Sequence, residues 1–156
     1  MRTTRRGGVR GYDAGKKIVG RKRHLLVDTD GLILKVRVHA ASVQDRDGAT
    51  LVLDQIDEPL AQLELIWADG AYADDKLAGW MAERFGPRPL RLEILRRSAA
   101  QKSFVALPRL WVVERTFGWL NNFRRLSKDC EFRTDSSEAF LFLAASLLLI
   151  VRLARP

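Results

Sequence analysis

HLLVDTDGLILKVRVH, residues 24–39, places two apolar runs on either side of Asp30-Gly31. In the second run Val36 and Val38 alternate with Lys35, Arg37 and His39. A side-chain period of two around an Asp-Gly pair predicts a β-hairpin. Downstream, Leu63 to Ala68 reads as a strand whose run Leu65-Ile66-Trp67-Ala68 is apolar on both faces, as in the middle of a sheet, and it ends in Asp69-Gly70. Ala73 to Phe85 sets Leu77, Trp80, Met81 and Phe85 on one side and closes at Gly86-Pro87, which predicts a helix. Leu90, Leu92 and Ile94 alternate with Arg91, Glu93 and Leu95, giving a strand over Leu90 to Arg96. Ala49 to Ile56 is a short helix with Asp45 or Asp47 placed to cap it. The order hairpin, helix, strand, helix, strand, helix, helix is that of an α/β or α+β chain whose helices cover a mixed sheet.

The first of the last two helices carries the chemistry. In LWVVERTFGWLNNFRRLSKDCE, residues 110–131, Leu110, Val113, Phe117 and Leu120 recur at helical spacing after Pro108. Glu114 sits just off that stripe, with Gly118 one turn on leaving space beside it. Arg115, Arg124, Arg125 and Lys128 follow, so one helix is expected to offer both a carboxylate for a metal ion and cations for phosphates. An ordinary surface helix whose Glu114 pairs with a nearby Arg has the same pattern.

Composition bounds the rest. A chain of 156 residues, 47% of them hydrophobic, can bury one core and is too short for two comfortable domains. Its net charge of +8 is local: Met1 to Arg23 holds nine Lys or Arg against Asp13 alone, while the remainder has 18 basic and 18 acidic residues. Residues 1–23 are therefore expected to form a basic arm, irregular and mobile over residues 1–20, of the kind that contacts nucleic acid or simply stays solvated. Order is expected to begin near Arg21. Cys130 is the only cysteine, so no intrachain disulfide forms. The apolar run Ala139 to Val151 is 13 residues, short of the roughly 20 of a membrane span, and predicts a buried C-terminal helix. No apolar run follows the basic N-terminal residues, so no secretion signal is expected.

Asp69 stands at the carboxyl end of the expected central strand, where open α/β sheets bind ligands, although Asp-Gly also makes a simple turn. With Glu114 it could supply part of an oxygen cage for Mg²⁺ or Mn²⁺. Asp28 lies late in the first hairpin strand and Asp13 in the arm, and neither is a good bridging ligand. His24 and His39 have no His or Cys at ligand spacing and read as structural or DNA-facing. No zinc pattern, phosphate-binding glycine loop or Ser-His-Asp arrangement stands out.

Four segments in this order, GGVRGYDAGKKIVGRKRHLLVDTDGLIL, VHAASVQDRDGA, WADGAYA and LPRLWVVERTFGWLNNFRRLSKDCE, strongly resemble the catalytic half of bacterial insertion-sequence transposases of the DDE type, family five. The resemblance covers nearly the whole chain. It implies an RNase H-like mixed sheet flanked by helices over residues 24–156. It also implies a Mg²⁺-dependent enzyme that cuts transposon ends and joins them to target DNA through an Asp-Asp-Glu ligand set. By motif position Asp69 matches the second Asp and Glu114 the Glu. Leu110 and Asn122 depart from the pattern where a basic residue is usual.

In the resembled family the first Asp lies in an Asp-Ser-x-Ser type segment a few residues before the stretch corresponding to Arg2-Thr3-Thr4. The sequence is accordingly expected to begin just after a catalytic strand and to lack the first central strand of the sheet. That strand would lie between those assigned to His24 to Thr29 and Leu63 to Ala68, leaving two inner edges unpaired. The expectation is a transposase catalytic domain with little or no activity as written. The rival is a non-catalytic DNA-binding or interaction fragment that modulates the full-length enzyme. Expected phosphate contacts are Arg21, Lys22, Arg23, Arg115, Arg124, Arg125 and Lys128. The expected setting is the bacterial cytoplasm at the nucleoid, with DNA, or a further copy of the chain, as partner and no membrane.

Overall fold

The computed structural model describes residues 3, 8–57, 60, 62–86, 90–96 and 107–154. The hairpin of the sequence pattern is its backbone. β2 (Ile18–Val27) pairs antiparallel with β3 (Ile33–Ala40), with Leu25 opposite Val36 and Arg23 opposite Val38. The Asp28 amide donates to the Leu32 carbonyl at 3.0 Å, so the turn between them is the three residues Thr29-Asp30-Gly31, closed by Gly31 at φ 84°, rather than a two-residue Asp-Gly turn. Asp28 Oδ1 accepts from the amides of Asp30 and Leu32, at 2.9 and 2.8 Å, and holds that loop.

The first strand extends further back than expected. β1 (Gly11–Asp13) pairs antiparallel with the Ile18–Gly20 start of β2, so order reaches well into the basic arm. Residues 1, 2 and 4–7 of that arm lie outside the described residues. β4 (Leu65–Asp69) and β5 (Arg91–Leu95) form a separate parallel pair, Ile66 beside Leu92 and Asp69 beside Leu95. The architecture is thus mixed α/β, with a three-stranded antiparallel sheet and a two-stranded parallel one, flanked by helices.

α1 (Asp45–Leu53) and α2 (Asp75–Phe85) cover one face. Ala49, Val52 and Leu53 of α1 and Leu77, Met81 and Phe85 of α2 pack on Leu26 of β2 and Ile66 of β4, so this core ties the two sheets together. α3 (Pro108–Asn121), the single turn α4 (Arg124–Ser127) and α5 (Thr134–Leu153) make the second core, where Leu120, Leu126, Leu141 and Ala144 meet Val36 and Val38. Leu25 packs into this second core and its neighbour Leu26 into the first, which is the period-two alternation expressed as two layers.

Three sequence expectations are corrected. The stretch 110–131 is not one helix: α3 stops at Asn121, Phe123 is extended, and Arg124, Arg125 and Lys128 stand beyond the break. Consecutive asparagines with low helix propensity, followed by Phe123 drawn against the second core, account for the stop. Neither Asp45 nor Asp47 caps α1: Gln44 is the N-cap, and the helix starts four residues earlier than predicted, at Asp45. The C-terminal helix is not buried either. It has 20 residues, long and apolar enough to cross a membrane, and buries only Ser137, Leu141 and Ala144, while Leu143, Leu147, Ile150 and Leu153 are exposed.

The deepest polar contact is an ion pair. Arg21 and Asp129 are wholly buried, with Nη1 donating to Asp129 Oδ2 at 3.1 Å. The same guanidinium donates to the carbonyls of Val9, Glu131 and Phe132, and Ser137 Oγ donates to Asp129 Oδ2 at 2.8 Å. Replacing Asp129 with Ala strands a buried charge and should cost about 3–5 kcal/mol. For a domain of this size that is a Tm loss of roughly 6–20 °C by calorimetry. Arg133→Ala, which breaks an exposed pair with Asp135, should cost under about 1 kcal/mol in the same measurement.

Candidate active site

Between the two sheets runs a cleft of about 1170 Å³. His24 to Thr29 of the hairpin and all five residues of β4 line it consecutively. Successive strand residues point to opposite faces, so a cavity that touches every one of them runs along the strand edges and not across a face. α1 contributes Ala49, Val52 and Leu53 on one side, and α3 contributes Leu110, Val113, Glu114 and Phe117 on the other.

Asp69 ends β4 and caps the 3₁₀ turn Gly70–Tyr72, its Oδ1 accepting from the Ala71 amide at 2.8 Å. The second carboxylate oxygen is left for another ligand. Glu114 is exposed on α3 and has no hydrogen bond or ion pair among the described residues, so the surface pairing with an Arg does not form. Both carboxylates line the cleft. The glycines beside them, Gly70 and Gly118, have open space where a Cβ would stand.

α3 is strapped across the cleft at two points. Arg109 lies 4.4 Å over the Trp67 ring of β4. Further along, Arg115 Nη2 donates to the Asp30 carbonyl and Thr116 Oγ1 to the Gly31 carbonyl, at 3.0 and 2.9 Å. Glu114 falls between these anchors.

Residues 1–149 match the family model described as the transposase DDE domain. The chain belongs to that family. It is 32% identical over 136 residues to a Burkholderia cepacia protein named "Putative transposase for insertion sequence element IS402". That alignment covers 83% of this chain and 62% of the relative, so the chain spans less than two thirds of the relative's length. No solved structure matches the chain. The recognition of a DDE transposase from its four motif segments is therefore correct.

Within this DDE domain, the fold brings Asp69 and Glu114 to one cleft but no group of three His, Cys, Asp or Glu side chains able to hold a metal ion among the described residues. Asp28 does not complete such a group. His24, at the other end of the exposed edge, packs against Tyr72 just beyond Asp69, with ring centroids 6.0 Å apart. Asp28 stands four residues further along the hairpin, ~13 Å from His24. Its Oδ1 is also committed to the hairpin loop.

The basic residues divide in two. Besides the buried Arg21, Lys22 Nζ donates to the Val43 carbonyl and to Asp45, and Arg23 Nη1 to the Leu126 carbonyl. Arg115 holds the hairpin loop and lies over the Trp111 and Trp119 rings. Arg124, Arg125 and Lys128 are exposed, Arg125 pairing with Glu131. Sequence reasoning did not single out Arg96 and Arg109, cations that line the cleft with the carboxylates. Arg109 had a signal: it opens the Glu114 helix directly after Pro108.

The histidines form a buried stacked pair, with ring centroids 4.9 Å apart. His39 Nδ1 lies 2.9 Å from the Ala40 carbonyl and so carries the proton, leaving Nε2 to accept from His24 Nδ1–H at 2.7 Å. Gly48 backs the pair so closely that a Cβ there would run into the His24 ring at Cε1. Burial first, then the neighbouring His39, pulls His24 from its usual 6.5 to about 4. Burial likewise lowers His39. Burial, with Asp45 and Asp69 adding, holds the Tyr72 hydroxyl above the usual phenol range, so it stays protonated.

Because the folded His24 pKa lies below the unfolded one, the unfolded chain binds the extra proton between pH 6.5 and 4. Stability should fall as pH drops through that window, by roughly 3 kcal/mol from His24 alone. Urea midpoints at a series of pH values should show a shallower acid limb for His24→Gln than for the parent chain.

Proposed function

We propose that this DDE domain is the catalytic core of an insertion-sequence transposase with an RNase H-like architecture, in which Asp69 and Glu114 hold a divalent cation, Mg²⁺ or Mn²⁺, against the phosphodiester of a transposon end. The supporting observation is the cleft that Asp69, at the carboxyl end of β4, shares with Glu114 on α3. Two carboxylates with oxygens to spare are hard donors suited to those ions. When bound, such an ion activates the attacking oxygen and neutralises phosphate charge.

On this reading each residue has its own task. The Ala71 amide fixes the Asp69 carboxylate in one orientation, and α3 carries Glu114 on a helix anchored at both flanks. Arg96 and Arg109 at the same cleft offer positive charge to the scissile phosphate, and Arg124, Arg125 and Lys128 hold the duplex outside it. Arg21, Lys22, Arg23 and Arg115 serve the fold rather than the DNA.

An RNase H-like sheet has a central strand flanked by the counterparts of β2 and β4, and the cleft lies along those two edges. In the resembled family that strand bears the first Asp of the ligand set. A second reading follows from the two-carboxylate site: the 156-residue chain binds DNA and modulates a longer transposase without cutting.

Cleavage of labelled element ends separates the two. The 156-residue chain should show no Mg²⁺-dependent cut, and robust cleavage would reject the need for the central strand. In a chain extended by an Asp-bearing strand, Asp69→Asn or Glu114→Gln should lower cleavage by ~10²-fold or more while DNA binding persists. A strand-bearing chain that never cuts would leave only the binding role. Binding itself should weaken with salt, and Arg124→Ala and Lys128→Ala should each reduce the slope of log K against log salt by about 0.9. An unchanged slope would remove those residues from the DNA interface.

A further inference from the structure

We propose that the ribbon formed by β1 and the start of β2 lies in the major groove of a DNA duplex, its Tyr12–Val19 face on the base edges and Lys16 and Lys17 at its tip on phosphates. The proposal rests on the reading of this chain as one that acts on DNA, but it needs neither metal nor cleavage.

The sheet narrows to two strands here. β3 pairs with β2 no further back than Arg21, opposite Ala40. Among the described strands Ile18–Gly20 then has β1 alone beside it, Gly11 opposite Gly20 and Asp13 opposite Ile18. Gly11 abuts Ser42 so closely that a Cβ would collide with its side chain, and the ribbon leaves the body of the domain from that point. Beyond it Tyr12, Ala14 to Lys17 and Val19 are exposed. Two strands ~4.8 Å apart fit, with their side chains, a major groove ~12 Å wide and not a minor groove of ~6 Å.

The tip keeps its charge at the expense of backbone comfort. Its loop is Ala14-Gly15-Lys16-Lys17, and Lys17 sits at φ 50°, in the left-handed region, as no other described non-glycine residue does. Glycine takes that conformation freely, yet the chain places its glycine two positions earlier and a lysine here. Neither the Lys16 nor the Lys17 ammonium forms an ion pair with a described carboxylate. Asp13, at the base of the loop, accepts from the Lys16 amide and turns its other oxygen toward Lys22. Two adjacent ammonium groups on a projecting loop suit a polyanion.

The face behind the tip is apolar and points one way. Val19, Arg21 and Arg23 leave the same side of β2. Arg21 and Arg23 reach the carbonyls of Glu131, Phe132 and Leu126, so Val19, with Tyr12 opposite it, looks toward the side where α4 lies. Tyr12 and Val19 are 55% and 50% exposed there. Arg124 and Lys128, also exposed, stand beside Arg23, six residues of β2 and ~20 Å from the tip. Cations thus bracket an apolar face at a spacing on the order of a ~12 Å groove with its two phosphate walls. Apolar side chains between those walls meet thymine methyl groups, which only the major groove presents. The segment Met1 to Arg23, which contains the ribbon, carries the whole +8 excess of the chain, and that favours DNA over an apolar protein partner.

The test uses the 156-residue chain as it is, without metal, and a mixed-sequence duplex of about three helical turns, with binding read by fluorescence anisotropy over a salt series. Lys17→Gly suits the left-handed position and should melt no lower than the parent. The same variant should reduce the slope of log K against log salt by about 0.9, and Lys16→Ala added to it by about 0.9 more. Tyr12→Ser should weaken binding ~10-fold with the slope unchanged. A duplex whose cytosines carry glucosyl groups, which fill the major groove, should bind the parent at least ~10-fold more weakly. An unchanged slope in the lysine variants, or equal binding of plain and glucosylated duplexes, would overturn the proposal. So would a Tyr12→Ser chain that binds DNA as the parent does but loses self-association in sedimentation, which would make the ribbon a contact between copies. Unchanged slopes here, with those of Arg124→Ala and Lys128→Ala reduced, would leave the functional reading intact. A ribbon that behaves as proposed on a strand-bearing chain that never cuts would do the reverse.

Discussion

Everything in this domain is fastened to the alternation along β2. Successive side chains of Arg21-Lys22-Arg23-His24 leave the strand on opposite faces, and each face has different work for its cations. Arg21 and Arg23 turn toward the segment after α3, where Asp129 and the carbonyls of Leu126, Glu131 and Phe132 receive them. Lys22 and His24 turn toward α1, where Lys22 meets Asp45, and His24 meets His39 of β3 on that same face. Leu25 and Leu26 then repeat the division with apolar atoms. A slip of one residue in this strand would put Arg21 against the α1 core and Leu26 against the Asp129 loop, so the register is strongly specified.

Most strands and the middle helices could be read from pattern alone, because hydrophobic periodicity reports burial and burial is what built them. The hairpin, β4, α2 and β5 fall where the apolar spacing puts them, with ends shifted by a few residues. What pattern did not reveal was where the charges go. A run such as RKRH reads as a phosphate-seeking patch when the chain is taken linearly, yet a strand splits it between two layers. The partners that neutralise Arg21 and Lys22 lie 108 and 23 positions away, a distance no local signal spans. The break at Asn121 and the exposed outer face of α5 likewise depend on tertiary packing: the first on Phe123 reaching the second core, the second on no described element covering that face.

The site shows the same division. Asp69 was legible because its strand is apolar and ends at an Asp-Gly pair, and Glu114 because of its place beside the apolar stripe of a helix. Neither position alone said that the two would line one cleft. That required the path of α3, which is set by Arg109 on Trp67 and by Thr116 on the hairpin loop. Asp28 illustrates the converse. It looks equivalent to Asp69 in sequence, an Asp at the end of a strand, but its carboxylate is consumed by the loop amides of Asp30 and Leu32.

The cleft joins two requirements that are usually separate. Its walls hold strand edges that pair with no other strand among the described residues, which is a matter of folding, and the carboxylates of Asp69 and Glu114 with no third ligand gathered to them among those residues, which is a matter of chemistry. On the proposed RNase H-like reading, a single strand lying between β2 and β4 bears on both, because its backbone would complete the ladders while its side chains would enter a space lined by Asp69 and Glu114. The α1/α2 core already bridges the gap through Leu26 and Ile66, so the two sheets are held near each other without direct pairing. On the proposed reading, completion of the sheet and completion of the metal site are therefore one event, and competence to cut DNA is coupled to the occupancy of one strand position.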